Sequence, residues 1–131
     1  MQRSRQILVF TIVLAFLVCL KADIRRDCRK QTNVSWASLK KLRAGDFNQD
    51  DQKLKCYLKC FMVKNNIIDD NSRVETDKAL RHLPPKFQES SRRILDRCKN
   101  SPGNDSCDTA FQVAKCYFRS QPEILKQIAF V

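Results

Sequence analysis

Cysteine is the residue type whose number and spacing in this chain most clearly suggest chemistry. The sequence has seven cysteines, and Cys19 lies in an N-terminal run that we expect to be removed, which leaves six. These six are Cys28, Cys56, Cys60, Cys98, Cys107 and Cys116. An even number of cysteines in a secreted chain predicts disulfide bonds, here three.

Helical geometry limits which cysteines can pair. Cys56 and Cys60 are four residues apart on one predicted helix, so they are better placed to reach two other segments than each other. Cys107 and Cys116 are nine residues apart. At about 100° per residue they lie on opposite sides of the last predicted helix and need different partners. More than one pairing stays open on this reasoning.

Metal binding and catalysis are both poorly supported. A C-x3-C pair with one distant histidine, His82, is poor zinc spacing. No carboxylate adjoins His82, and the chain has neither a glycine-rich calcium loop nor a nucleophile elbow, which excludes the secreted phospholipase pattern. We therefore expect no metal, no cofactor and no enzyme activity.

The first 22 residues are predicted to be a signal peptide. Arg3 and Arg5 precede an apolar run from Ile7 to Leu20, which is shorter than the roughly 20 residues that a membrane-spanning helix needs. Cleavage after Ala22, to within a few residues, would leave one domain at 23–131. We expect this domain to be secreted and extracellular.

The predicted mature domain is strongly basic. The leader contains three of the 25 Lys and Arg residues and no acidic residue, so the remaining net charge is 22 minus 14, or +8. The basic clusters are interpreted first as solvated helix faces, and alternatively as an attraction for acidic ligands, anionic membranes or polyanions. No nucleic-acid partner is expected, because Trp36 and the tyrosines do not alternate with these clusters.

The elements that position the cysteines are predicted to be helices throughout, because apolar residues repeat every three or four positions and glycine is rare. A short helix is expected over Ile24–Gln31. Five more helices are predicted from their caps, stops and apolar faces. The first carries Trp36, Leu39 and Leu42, begins after the N-cap Ser35 and ends before Gly45, and the second runs from Leu54 to about Asn65 after Asp50 or Asp51. The third carries Ala79, Leu80 and Leu83, between the N-cap Thr76 and Pro84. The fourth has the face Phe87, Ile94, Leu95 and Cys98, and the fifth runs from Cys107 to about Ser120, before Pro122.

The cysteine spacing, C-x27-C-x3-C-x37-C-x8-C-x8-C, closely resembles that of the insect odorant-binding proteins, which include pheromone-binding and general odorant-binding members. The stretch Lys55–Cys60, the acidic turn after Ile67 and Ile68, and Lys115-Cys116-Tyr117 followed by Pro122 are similar to the family as well. The resemblance implies the bridges Cys28–Cys60, Cys56–Cys107 and Cys98–Cys116. It also implies a shell of six helices around an apolar cavity.

The function that the resemblance implies is carriage of odorants, pheromones or other small lipophiles through aqueous lymph to a membrane odorant receptor, by a monomer or weak homodimer. Candidates for the cavity wall come from the apolar helix faces and the C-terminal tail, although periodicity reports burial and not what lies opposite. They are Tyr57, Phe61, Leu80, Leu83, Phe87, Ile94, Leu95, Phe111, Ala114, Phe118, Phe130 and Val131.

Three further features carry hypotheses. The apolar tail 123–131 is expected to act as a lid, as the C-terminal segment does in some relatives, so that truncation after Pro122 should change ligand retention.

His82, the sole histidine, is interpreted as a surface or helix-end residue rather than a pH sensor, and a switch of several histidines is impossible. Asn33 and Asn104 begin sequons that permit glycosylation.

The rival function is a basic secreted host-defence or membrane-active protein, which the +8 charge suggests. Vesicle leakage and salt-sensitive lipid binding would support the rival. Displacement of an apolar fluorescent probe by specific odorants would support the carrier.

Overall fold

The chain is helical along most of its described length. The structure is a computed structural model that describes residues 2–127, apart from the side chains of residues 16–22. Its helices are α1 (Gln2–Thr32), α2 (Trp36–Arg43), α3 (Gln52–Lys64), α4 (Thr76–Leu80), α5 (Pro85–Cys98), α6 (Ser106–Ser120) and a 3-10 helix (Pro122–Lys126). The prediction of an all-α fold is confirmed, and the β-type pairing in the described chain is one isolated bridge, between Ile68 and Val74.

Side-chain caps fix where α2, α3 and α6 begin. Ser35, Asp51 and Asp105 each have extended backbone and accept a hydrogen bond from a backbone N–H in the first turn of their helix. Gly45 follows α2 at a φ of +92°, in the left-handed region that favours glycine. Both the Ser35 cap and the Gly45 stop are at the predicted positions.

Two predicted boundaries are wrong. The first helix does not begin at Ile24: α1 starts at Gln2, because the apolar leader residues are also helix formers and continue the same turns. Thr76 is not an N-cap but the first residue of α4, and the preceding Glu75 makes no side-chain cap. Since α4 ends at Leu80, Leu83 lies in the turn that follows and not on the helix.

Trp36 does not belong to the buried face of α2. Leu39 and Leu42 are fully buried, whereas Trp36 is 64% exposed. Its ring lies on the protein surface, where the Arg29 guanidinium sits 4.6 Å from the ring centroid. The helical repeat of 3.6 residues per turn predicts that Trp36 shares the face of Leu39. However, Trp36 is the first residue of the helix, and its side chain turns outward at that end.

Three disulfides join the helices: Cys28–Cys60, Cys56–Cys107 and Cys98–Cys116. This is the pairing that the resemblance implies, and it satisfies both restrictions drawn from helical geometry. The first bridge links α1 to α3, the second links α3 to α6, and the third links α5 to α6. Four helices therefore form one covalently linked frame.

The apolar residues of the N-terminal stretch lie outside the core. Ile7, Leu8, Val9, Phe10, Ile12, Val13 and Leu14 are each 49 to 68% exposed. Within residues 2–127, no helix combines the length and apolarity that crossing a membrane requires.

A buried ion pair links α3 to α6. Lys55 Nζ lies 3.1 Å from Asp108 Oδ1, and both side chains are almost buried. Asp108 also accepts hydrogen bonds from the Asn104 backbone N–H at 2.9 Å and from Gln112 Nε2 at 3.2 Å. The Asn104 bond, then the Gln112 bond and then Lys55 lower the pKa of Asp108 to about 2, against the opposing effect of burial.

This ion pair should make folding stability depend on pH in acid. Because the pKa of Asp108 falls from 3.8 to about 2 on folding, its contribution is complete above pH 3.8 and is lost as the pH falls toward 2. We expect the difference in unfolding free energy between the wild type and Asp108→Asn to narrow by about 2 kcal/mol from pH 6 to pH 2. Urea denaturation across that range measures it.

Asp50→Asn is the matched control. Asp50 Oδ1 lies 3.0 Å from the same Lys55 Nζ, but the Asp50 side chain is 98% exposed. This ion pair should therefore contribute little to the free energy of unfolding. Parallel stability curves for the wild type and Asp108→Asn from pH 6 to pH 2 would contradict the prediction.

Candidate functional site

A cavity of about 290 Å³ lies between the helices. Its wall is mostly apolar, with four polar residues among the 16 that line it. α1 contributes Ile24; α3 and the chain after it contribute Leu58, Phe61, Met62, Asn65, Ile67 and Val74; α4 and the chain after it contribute Ala79, His82 and Leu83; α5 contributes Leu95; α6 contributes Val113, Ala114, Tyr117 and Phe118; and Gln127 follows the 3-10 helix.

The local sequence explains how α3 and α6 form two of the walls. On α3, Phe61 and Met62 follow Leu58 by three and four residues, and on α6, Tyr117 and Phe118 follow Ala114 at the same spacing. These two helices pack against each other and are joined by the Cys56–Cys107 disulfide. The covalent link fixes the position of these two walls relative to each other where they meet at the bridge.

Tyr117 faces the cavity with its ring, because its hydroxyl is occupied elsewhere. The hydroxyl lies 2.8 Å from Ser91 Oγ and donates to Gln121 Oε1 at 3.2 Å, and Ser91 Oγ donates to the same Gln121 oxygen at 2.8 Å. All three residues are buried. Burial raises the pKa of Tyr117, so this side chain is neutral at physiological pH and adds no charge to the cavity.

His82 is an exposed residue that also belongs to the cavity wall. Its Nε2 lies 2.7 Å from the Asn65 backbone oxygen. Because a carbonyl only accepts, Nε2 carries the hydrogen, and Nδ1 accepts in the neutral ring or donates in the protonated ring. The position just beyond α4 agrees with the surface, helix-end interpretation, while the contribution to the cavity was not predicted.

Five of the predicted wall residues line the cavity: Phe61, Leu83, Leu95, Ala114 and Phe118. Phe130 and Val131 lie outside the described residues. The other five predicted residues are not among those that line it: Tyr57, Leu80, Phe87, Ile94 and Phe111.

These five have other surroundings. Phe111 packs against Phe47, with ring centroids 5.8 Å apart, and Tyr57 is fully buried. Phe87 is half-buried, with Lys86 Nζ 4.9 Å from its ring centroid. Leu80 and Ile94 are buried, on the adjacent helices α4 and α5.

Sequence reasoning missed a set of wall residues of two kinds. Leu58, Met62, Val113 and Tyr117 lie on the helix faces already recognised, where the apolar pattern is wide enough to include them. Ile67, Val74 and His82 lie in connections between helices, which have no periodicity to interpret.

Known proteins similar to this chain support one family. The model of the PBP/GOBP family matches residues 21–120. Odorant-binding protein 10 of Aedes aegypti is 31% identical over 100 residues, which cover 75% of this chain and 71% of that protein.

Solved structures agree in fold. Odorant-binding protein lmigOBP1 of Locusta migratoria superimposes with a TM-score of 0.69 at 32% identity, over 80% of this chain and 81% of that one. A fatty acid binding protein, OBP56a, from the oral disk of the blowfly Phormia regina gives a TM-score of 0.67 at 31% identity, over 82% of this chain and 93% of that one.

Proposed function

Because the chain belongs to the PBP/GOBP family of odorant-binding proteins, we propose that it is an extracellular carrier of one small lipophilic molecule. The cavity described above holds the ligand, such as an odorant or pheromone, and the protein transports it through aqueous fluid to a membrane receptor. The domain at 23–131 acts as a monomer or weak homodimer, after residues 1–22 are removed as a signal peptide. No catalytic step is part of this role.

The apolar cavity is the observation that carries the proposal. Its volume of about 290 Å³ is at the lower end of the range for ligand pockets, which suits a small molecule. Apolar side chains form three quarters of the wall, so binding free energy would come mainly from apolar area removed from water. The polar groups His82 and Gln127, both exposed, offer a polar ligand group a place at the rim.

Secretion rests on two supporting observations. Residues 2–15 are exposed, so removal of this part of the leader would take no buried side chain from the core. All six remaining cysteines are paired, as in oxidising compartments. Mass spectrometry of the protein from the medium of insect cells that express the full chain should show an N-terminus at or near Asp23.

Binding should depend on ligand chain length in a defined way. In a series of straight-chain alcohols, affinity should rise about fourfold per added methylene, since each buried CH₂ contributes about 0.8 kcal/mol. The rise should stop where the ligand fills the cavity. Displacement of an apolar fluorescent probe from the secreted protein measures the series.

Two results would contradict this proposal. Affinity that rises with chain length without limit would indicate partition onto a surface rather than a closed cavity. Failure of every alcohol and every matched fatty acid to displace the probe, together with leakage of vesicles, would favour the membrane-active alternative.

The C-terminal segment is proposed to slow ligand release. The 3-10 helix packs on α6 through the fully buried Ile124, and Gln127 lies at the cavity wall. Deletion of residues 127–131 keeps Ile124, so the fold should survive and the ligand should dissociate faster in stopped-flow measurements. An unchanged dissociation rate would exclude the tail as a lid.

A further inference from the structure

One surface of the folded domain combines an exposed tryptophan with basic residues that have no acidic partner among residues 2–127. Trp36, Lys40 and Arg43 occupy positions i, i+4 and i+7 on the outer face of α2, and all three are exposed. Arg29 of α1 covers the Trp36 ring at 4.6 Å. We call Arg29, Trp36, Lys40 and Arg43 the Trp36 surface.

Trp36 differs from every other large apolar residue that the structure describes between residues 23 and 127. Among described residues, the other large apolar side chains classed as exposed lie between Ile7 and Leu14, in the proposed signal peptide. Within 23–127, Trp36 alone is 64% exposed while the rest of the apolar set is buried or half-buried. Transfer of an exposed tryptophan ring from water to an apolar phase lowers the free energy, so contact with such a phase is favourable.

The cations around Trp36 are not neutralised. In the part of the chain that the structure describes, no carboxylate lies within ion-pair distance of Lys40, Lys41 or Arg43. α2 itself contains no acidic residue. The carboxylates that follow it are engaged locally: Asp46 accepts from the Asn48 backbone, and Asp51 accepts from Ser38 and caps α3.

We propose that the Trp36 surface docks the protein on a membrane that contains anionic phospholipid. Tryptophan fits the boundary between headgroups and acyl chains, where its ring is in an apolar phase and its N–H stays near water. Lys40 and Arg43 extend past the ring and contact phosphate groups while their stems cover apolar surface. A convex helix face with one projecting ring suits a bilayer better than a peptide, whose anchor residues need a concave pocket.

The charges predict the strength and the salt dependence of docking. Each basic residue near an anionic bilayer strengthens binding by about fivefold, so Lys40→Gln with Arg43→Gln should weaken it roughly 30-fold. Trp36→Ala should weaken it by about tenfold, through loss of apolar contact. Binding should decline at 0.5 M salt, where screening is strong. The bound vesicles should not leak, which separates docking of a carrier from the membrane-active alternative.

The test is cosedimentation of the protein secreted from cells that express the full chain, after intact mass has shown loss of the leader and any glycan at Asn33 has been removed enzymatically. Vesicles of phosphatidylserine and phosphatidylcholine should bind the wild type, and pure phosphatidylcholine should not. Lys78→Gln with Arg81→Gln, which removes one lysine and one arginine from exposed positions at α4, is the control of equal net charge and should bind like the wild type. Circular dichroism should show the same helix content in every variant.

Three outcomes would overturn the proposal. Equal weakening by the α2 and α4 double variants would mean that net charge alone drives binding. Equal binding to pure phosphatidylcholine would mean that anionic lipid has no role. Binding of soluble polyglutamate through Trp36 and Lys40, with none to vesicles, would assign the surface to an acidic polypeptide. Docking does not depend on the cavity, so Ala114→Phe, which fills the cavity, should leave it unchanged.

Discussion

Removal of the Cys56–Cys107 disulfide should lower the free energy of unfolding by about 4 kcal/mol. The bridge closes a loop with a sequence separation of 51 residues, the longest of the three. In the chain-entropy model, a longer loop restricts the unfolded chain more and therefore stabilises the fold more. Both cysteines are only half-buried, so Cys56→Ala with Cys107→Ala leaves no large void. Urea denaturation of the double variant and the wild type measures the loss.

Gln52→Ala is the matched control for this bridge. Gln52 Nε2 donates to Asp105 Oδ2 at 2.9 Å, which joins the same ends of α3 and α6 without a covalent bond. An exposed hydrogen bond of this kind should be worth about 1 kcal/mol or less. If loss of the disulfide costs no more than Gln52→Ala, the covalent frame is not what stabilises this pair of helices. Since small domains are stable by only about 5–15 kcal/mol, a loss of 4 kcal/mol would be a large fraction.

Ala114→Phe should abolish most ligand binding. Ala114 lies on α6 at the cavity wall and is 4% exposed, so a phenyl group there would occupy space that the ligand needs. If it displaces about three methylenes, each worth about 0.8 kcal/mol, affinity for the best alcohol of the series should fall roughly 50- to 100-fold. The optimum of the series should also move to shorter chains.

Ala37→Phe is the control, because Ala37 is exposed on α2 and distant in sequence from every wall residue of α6. It adds the same group and should leave affinity unchanged. Ala114→Val guards against overpacking, since it adds less volume and should shift the optimum by less. An optimum that stays at the same chain length in all three variants would place the ligand outside this cavity.

The parts of the fold that the sequence predicts are those governed by local patterns. The helix predicted from Leu54 to about Asn65 is α3, because apolar residues that repeat every three or four positions over several turns specify a helix and its buried face. Ser35 was predicted as a cap, and Asp51 as one of two alternatives with Asp50, since a cap is decided within three residues. The all-α class follows from such local evidence.

The cavity wall could be predicted only in part, because it depends on contacts between segments distant in sequence. Tyr57 and Phe61 have the same pattern and both are buried, yet only Phe61 faces the cavity. Periodicity cannot separate them, because it reports burial and not the neighbouring element. The Ser91, Tyr117 and Gln121 network, which spans 26 to 30 residues, has no local signature at all.

Trp36 shows the opposite failure. Its spacing from Leu39 and Leu42 matched a buried stripe, but it is the first residue of α2 and its ring lies over the surface beside Arg29. A residue at a helix end has a neighbouring helical turn on one side only. The helix face on which it lies therefore predicts its burial less well than for a residue inside the helix. The same exposure makes Trp36 available to a partner.

Direct location of a bound ligand is the sharpest test of the carrier function. Crystals of the secreted protein grown with a straight-chain alcohol that has a terminal bromine would show the bromine by its anomalous scattering. We predict one strong peak inside the cavity, within van der Waals contact of wall residues such as Met62, Val113 and Ala114. A peak on the outer surface, or an empty cavity in crystals grown above the concentration that saturates probe displacement, would contradict the account.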